Sequence, residues 1–189
     1  MFLISFYVNG HKPFKQELFW AIGHPFAALK VKNIHNKASI VYNTSNLKQA
    51  LDNYSNGGKL DAFRHAFFMA AFSQKIKVKK LRKLGIAHEK GNYSQFLKHQ
   101  NEDGERPDSL SNVMDLNNNE VGLKIGFANK KLSLEELKLE IIKKINSGNL
   151  LIMKRTAAGA YVDCKYNVID PKIYSGKWFV PKCLVSSNE

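Results

Sequence analysis

Three short stretches put acidic, basic and amide side chains at helical spacings. In "GKLDAFRHAFFMAAF", residues 58–72, Asp61 and His65 lie four apart, so one helical face carries both and the carboxylate can reach the imidazole. A carboxylate that fixes a histidine's tautomer recurs in acid–base sites and around metals. Arg64, between them, has the forked geometry that holds an anionic group. Further along, "AHEK" supplies His88 and Glu89. "MDLNNNEVG", residues 114–122, sets Asp115, Asn118, Asn119 and Gly122 at i, i+3, i+4 and i+7. Each asparagine costs roughly 0.5 kcal/mol or more in a helix relative to alanine. Three in succession therefore need a reason other than helix propensity.

The first stretch is otherwise apolar. Phe63, Phe67, Phe68, Ala70 and Ala71 leave little room for a solvent-facing stripe, so Asp61, Arg64 and His65 must find partners or line a cavity. Two readings stay open at this point: a reactive site, or a satisfied network that braces the core. His65, His88, Glu89 and Asp115 are also candidate ligands for a divalent metal, although their spacing specifies none. "AHEK" lacks the second histidine of a zincin helix and reads as the solvated end of a helix. A calcium loop fails too, because Glu120 stands where the glycine is needed and Gly126 where the bidentate acid is needed. Phosphate-loop, G-x-S-x-G and paired C-x-x-C motifs are absent.

The elements that must carry these residues read as mainly helical. A helix breaks near Gly23 and Pro25, and a helical pattern continues over roughly 26–54. "YSNGGK" is a loop and Lys59–Ile76 the apolar helix. In the next helix Val78, Leu81, Leu84 or Gly85, and His88 share a face. Residues 91–112 form a polar loop, a candidate mobile flap, before a further helix carrying "MDLNNNEVG". "LSLEELKLEIIKKINSGN" has a capping box at Ser133 and Glu136 and a glycine, Gly148, just past its end. "LLIMKRT", "AYVDCKYNVI" and "KWFVPKC" are β-prone, giving a small terminal hairpin or meander. The expected architecture is one domain over 1–189: a helical bundle with its motif-bearing core at 23–150 and a β-rich tail at 151–189.

Composition bounds the partners. At 189 residues the chain can bury a real core, and its formal net charge of +13 favours an anionic partner: nucleic acid, a phospholipid surface or an acidic glycan. The basic run Lys75, Lys77, Lys79, Lys80, Arg82 and Lys83 either presents such a substrate or is simply the solvated face of a helix. Two cysteines, Cys164 and Cys183, lack metal spacing; free thiols are the simpler expectation. The opening "MFLISFYVNGHK", with "FLISFYV" as a strand or buried helix start, has neither a basic region before its apolar run nor a cleavage site. No stretch reaches the roughly 18 apolar residues of a membrane span. The expected location is cytoplasmic, with export requiring a specialised route.

Taken in order, "GKLDAFRHAFFMA", "AHE" and "MDLNNNEVG", with "GHPFAALKV" upstream, resemble an uncharacterised bacterial domain family over roughly residues 23–150. Its pattern is G-x-x-D/N-A-F-R-H-A, then A-H-E, then M-D-x-x-N-N-x-x-G. The family occurs alone and as a C-terminal module of large toxin-like proteins, which implies an enzymatic effector. By position, the resemblance singles out Asp61, Arg64, His65, His88, Glu89, Asp115, Asn118, Asn119 and Gly122. The usual tryptophan after the "RHA" step corresponds to Phe67 or Phe68. "DAFRHAF" is also similar to the R-H-D helix of bacterial phospholipases A2, but Ala66 replaces the aspartate and Phe63 the cysteine, which departs from calcium-dependent lipase chemistry.

The expected function is a hydrolase of bacterial effector type acting on an anionic substrate. His65 and His88 serve as acid–base residues or ligands, with Asp61, Glu89 and Asp115 orienting or ligating. Arg64, Asn118 and Asn119 bind substrate. The alternatives are a non-enzymatic binder of nucleic acid or anionic surfaces, and a structural polar network without catalysis. The hydrolase reading requires the three stretches to converge.

Overall fold

In the computed structural model of the chain, residues 14–101 and 105–189 are described. The expectation for residues 2–8, "FLISFYV", lies outside them. Seven helices and one two-stranded sheet make up the described fold: α1 (Lys15–Gly23), α2 (Pro25–Thr44), α3 (Leu47–Ala50), α4 (Lys59–Ser73), α5 (Val78–Leu97), α6 (Ser109–Ala128), α7 (Leu134–Asn146), β1 (Leu151–Met153) and β2 (Leu184–Ser186). The mainly helical class with a small C-terminal sheet is as the sequence predicts.

α4 is the central element. It packs against α2, α5, α6, α7 and β1, and so it buries residues all round, with Phe63, Ala66, Phe67 and Ala70 sealed from solvent. A helix surrounded on every side has no need of an amphipathic stripe. α7 is the opposite case: Leu137, Ile141 and Ile145 form one buried stripe behind a Ser133–Glu136 capping box. Its end is marked by Gly148 at φ +73°.

α6 lies unusually close to α4. A Cβ at Gly122 would stand 2.1 Å from the Ala66 carbonyl oxygen, and one at Gly126 would stand 1.9 Å from that of Ala70. Both contacts advance four residues along each helix, so the two run in the same direction through the crossing. The glycines let the backbones meet, and that approach brings Asp115, two turns earlier on α6, against His65.

Several boundaries differ from the sequence reading. α2 ends at Thr44, and only the single turn of α3 intervenes before the loop, rather than helix to residue 54. α5 continues to Leu97 and α6 starts at Ser109, so half of the expected 91–112 loop is helical; residues 102–104 lie outside the described ones. The helix persists through Gly91 because the Phe14 ring packs there: a Cβ would lie 2.0 Å from Phe14 Cδ2. His88 and Glu89 therefore sit inside a helix, not at its solvated end.

Of the small hairpin or meander expected for the tail, one antiparallel pair of strands is present. β1 pairs antiparallel with β2, the two ends of the segment, with Ile152 opposite Val185. Between them the chain makes only the isolated bridges Arg155–Tyr161 and Val162–Val168. Cys164 and Cys183 form a disulfide with Cα atoms 4.7 Å apart, contrary to the expected free thiols. The fold-back of the tail sets them side by side, which a count of two cysteines could not reveal.

Candidate functional site

Asp52 starts α4 from a distance. Its carboxylate accepts from the Lys59 and Leu60 amides at 2.6 and 3.1 Å, doing for α4 what a capping side chain at Gly58 cannot. On the first turn, Asp61 Oδ2 accepts the Gly57 amide at 2.7 Å while Oδ1 accepts Arg64 Nη2 at 2.7 Å. Gly57 has φ +71°, and a Cβ there would meet Met153 Sδ and the Tyr161 hydroxyl at 3.0 Å, so glycine is needed for both conformation and space.

His65 stands one turn above. Its Nε2 lies 3.4 Å from Asp61 Oδ1, 3.3 Å from Asp115 Oδ1 and 3.4 Å from Arg64 Nη2. Asp115 Oδ1 is buried and accepts no regular hydrogen bond among the described residues, which leaves His65 Nε2 as its close cationic neighbour. Burial alone would lower the His65 pKa, but the Asp115 charge and the hydrogen bond and charge of Asp61 outweigh it and raise it to about 9. Asp61 moves the other way, down to about 2, because the His65 hydrogen bond and the Arg64 charge overcome its desolvation. Burial pushes Asp115 well above the usual carboxylate range, against the pull of His65 and with the charges of Asp61 and Glu89 adding to it. The His65–Asp115 pair therefore keeps at least one proton at neutral pH.

α5 adds a second histidine. The His88 ring lies 6.4 Å from the His65 ring, centroid to centroid, and its Nδ1 is 2.9 Å from Glu17 Oε1 on α1. The Phe14 ring lies 5.4 Å from the His88 ring, centroid to centroid. Glu89 is buried and accepts Asn92 Nδ2 at 3.1 Å. The site grades from interior to surface: the His65 side chain is 9% exposed, while His88 and Glu17 are 27% and 21% exposed and Arg64 30%.

The structure thus brings Asp61, Arg64, His65, His88 and Asp115 together, with Glu89 close enough for its charge to act on Asp115. Asn118 is elsewhere occupied: its amide donates to the Leu151 carbonyl and accepts the Leu151 amide, both at 2.9 Å, clamping β1 to α6 rather than facing a ligand. The Asn119 amide packs against Gly85, on the far side of the α5–α6 contact, in a shallow cleft with Met69 and Leu123. Asn117 is exposed.

The residues sequence reasoning missed are Glu17, Gly57, Asn92 and Asp52. Glu17 carried one faint signal, a lone acid in the aromatic-rich "FKQELFW". Asn92 stands three residues past Glu89 on the same helix, a local spacing, whereas Gly57 and Asp52 act through the loop before α4, which no periodicity shows.

For a metal, the atoms that cluster belong to Asp61, His65 and Asp115, all within 4.8 Å of one another. Among the described residues neither His88 nor Glu89 joins that set. Arg64 Nη2 stands hydrogen-bonded to Asp61 at 2.7 Å, in the space a dication would need. The three donors, an imidazole nitrogen and two carboxylate oxygens, suit proton transfer and also match the ligand types of a divalent metal.

Comparison with curated proteins and with solved structures gave no match. A family model, described as a domain of unknown function, matches residues 18–149, a span from α1 through α7 that leaves out the tail. The chain is a member of that family, DUF6973.

Proposed function

We propose that the chain is an acid–base hydrolase of anionic substrates, in which His65 and His88 move protons and Arg64 holds the negative group. The observation that carries this reading is the convergence of two histidines from different helices, each with its own carboxylate, at a ring separation of 6.4 Å. Asp61 and Asp115 engage Nε2 of His65, so Nδ1 is the nitrogen left to act. Glu17 engages Nδ1 of His88. Two oriented imidazoles can divide the work of general base and general acid. The formal charge of +13 supports an anionic substrate.

The disulfide favours an oxidising compartment over the cytoplasm. Among the described residues no helix is long and apolar enough to cross a membrane.

The test is turnover by the purified chain on RNA, DNA, anionic phospholipid vesicles and an acidic polysaccharide. His65→Ala and His88→Ala should each lower the activity found by about 10²- to 10⁴-fold while circular dichroism and melting stay cooperative. Turnover in both variants equal to that of the native chain, or none on any substrate by folded protein, sinks the reading. Salt-sensitive binding that survives His65→Ala, with no turnover, identifies a binding protein instead.

A further inference from the structure

We propose that Asp61, His65 and Asp115 form a binding site for one zinc ion, held by a single oxygen of each carboxylate and by Nε2 of the imidazole. The site goes beyond the acid–base reading and does not rest on it.

Three observations lead there. The first is distance. His65 Nε2 lies 3.4 Å from Asp61 Oδ1 and 3.3 Å from Asp115 Oδ1. A charge-assisted hydrogen bond would draw each pair to about 2.7–2.9 Å. Two ligands bonded at about 2.0–2.2 Å to a tetrahedral ion stand about 3.3–3.6 Å apart, so both separations suit the edge of a coordination shell. One ligand atom from each of the three residues lies within 4.8 Å of the other two, close enough for a single ion to reach all of them. The second is Asp115. The residue is 5% exposed, and its Oδ1, turned towards His65, has no hydrogen-bond partner among the described residues. A carboxylate oxygen removed from water and left without a donor is costly unless a cation meets it. The third is the orientation of Asp61. Its Oδ2 accepts the Gly57 amide at 2.7 Å, which fixes the carboxylate and leaves Oδ1 on the side of His65. Outer hydrogen bonds of this kind hold metal ligands in place.

The donor set selects the ion. Calcium and magnesium take oxygen ligands, whereas an imidazole nitrogen with two carboxylate oxygens suits zinc. Three protein ligands leave a fourth position open, as in a catalytic rather than a structural zinc site. Arg64 is the cation that the ion displaces. Its Nη2 donates to Asp61 Oδ1 at 2.7 Å, and its side chain, 30% exposed, reaches solvent. Zinc enters as the guanidinium leaves that oxygen and as the proton on His65 Nε2 is released. Arg64 and zinc therefore compete for the same carboxylate.

The experiment is calorimetric titration of zinc chloride into the purified chain, stripped with EDTA and dialysed free of it, with magnesium and calcium chlorides as parallel titrants. Both cysteines are in the Cys164–Cys183 disulfide, so no thiol competes for the metal. The expected result is one zinc per chain, bound at least about 100-fold more tightly than magnesium or calcium and raising the melting midpoint. Asp115→Asn keeps the side-chain volume and should weaken zinc binding at least about 100-fold. Arg64→Gln should strengthen it at least about tenfold, because a positive charge beside the ion is gone. Opposite shifts from two neighbouring substitutions cannot come from misfolding, and the pair makes His65→Ala unnecessary. No zinc binding by the native chain overturns the proposal. So does zinc binding that Asp115→Asn and Arg64→Gln leave unchanged, which places the ion on other side chains, and so does tighter binding of magnesium or calcium than of zinc.

Discussion

His65 concentrates the electrostatics of the molecule. Held between Asp61 and Asp115, its pKa is raised from 6.5 to about 9. A raised histidine stabilises the fold fully below its unfolded value of 6.5, and that contribution is lost as pH climbs through about 9. Asp61, lowered to about 2, contributes above its unfolded value of 3.8 and loses that contribution as pH falls through about 2. Asp115, raised by burial, favours the fold while protonated, so rising pH removes its share too. Stability should therefore fall between pH 6.5 and 9 with a slope approaching about 1.4 kcal/mol per unit for one proton. Urea titrations across that range should show the slope in the native chain and lose most of it in His65→Gln. A flat profile in the native chain would mean that the imidazole is not held between the two acids.

At the scale of elements, the site exists because α6 presses on α4 at two glycines. Gly122→Ala would drive a methyl into the Ala66 carbonyl at 2.1 Å, backbone that cannot step aside. The helices must separate, at a cost of about 1–3 kcal/mol or more, and Asp115 moves away from His65. Gly23, at the end of α1, has nothing within 4 Å, and Gly23→Ala should be neutral or slightly stabilising by denaturant melts. A similar midpoint for the two variants would sink this account of the crossing. Much of this level was legible beforehand: the α4 spacing of Asp61 and His65, the α6 stripe and the α7 capping box are local patterns, and local patterns survive folding. The third asparagine motif was legible as a demand but not as an answer. Asn118 does serve a purpose beyond propensity, yet it serves β1, which lies 33 residues on in sequence. Glu17 reaches the site by long-range placement, 71 residues before His88, and Gly57 by an irregular loop conformation, neither of which periodicity encodes.

Over the whole molecule, the C-terminal tail outside the family match fastens both approaches to the site. Arg155 Nη2 donates to the Asn56 carbonyl at 2.9 Å and Met153 to the Gly57 carbonyl at 2.7 Å, so the tail holds the loop whose amide binds Asp61. Lys182 Nζ pairs with Asp108 at 2.7 Å, and Asp108 caps α6 through the Leu110 and Ser111 amides. Tyr161, stacked beneath both Arg155 and Lys182 and donating to Glu105 at 2.7 Å, joins the two attachments. Cys183 follows Lys182 directly, and its bond to Cys164 closes a separation of 19 residues in a segment with few buried apolar side chains. Closing a loop of that size is worth about 3 kcal/mol, mostly by restricting the unfolded chain. The native chain should therefore take up no thiol-alkylating reagent, and two equivalents after reduction by mass spectrometry. Reduction, or Cys164→Ser with Cys183→Ser, should lower stability by about 2–4 kcal/mol. Because Lys182 adjoins the bridge and anchors α6, the same treatment should loosen the Asp115–His65 contact and reduce the pH-dependent slope described for His65. Full alkylation of the unreduced protein, or a melting midpoint indifferent to reductant, would show that the tail holds the site without the bridge.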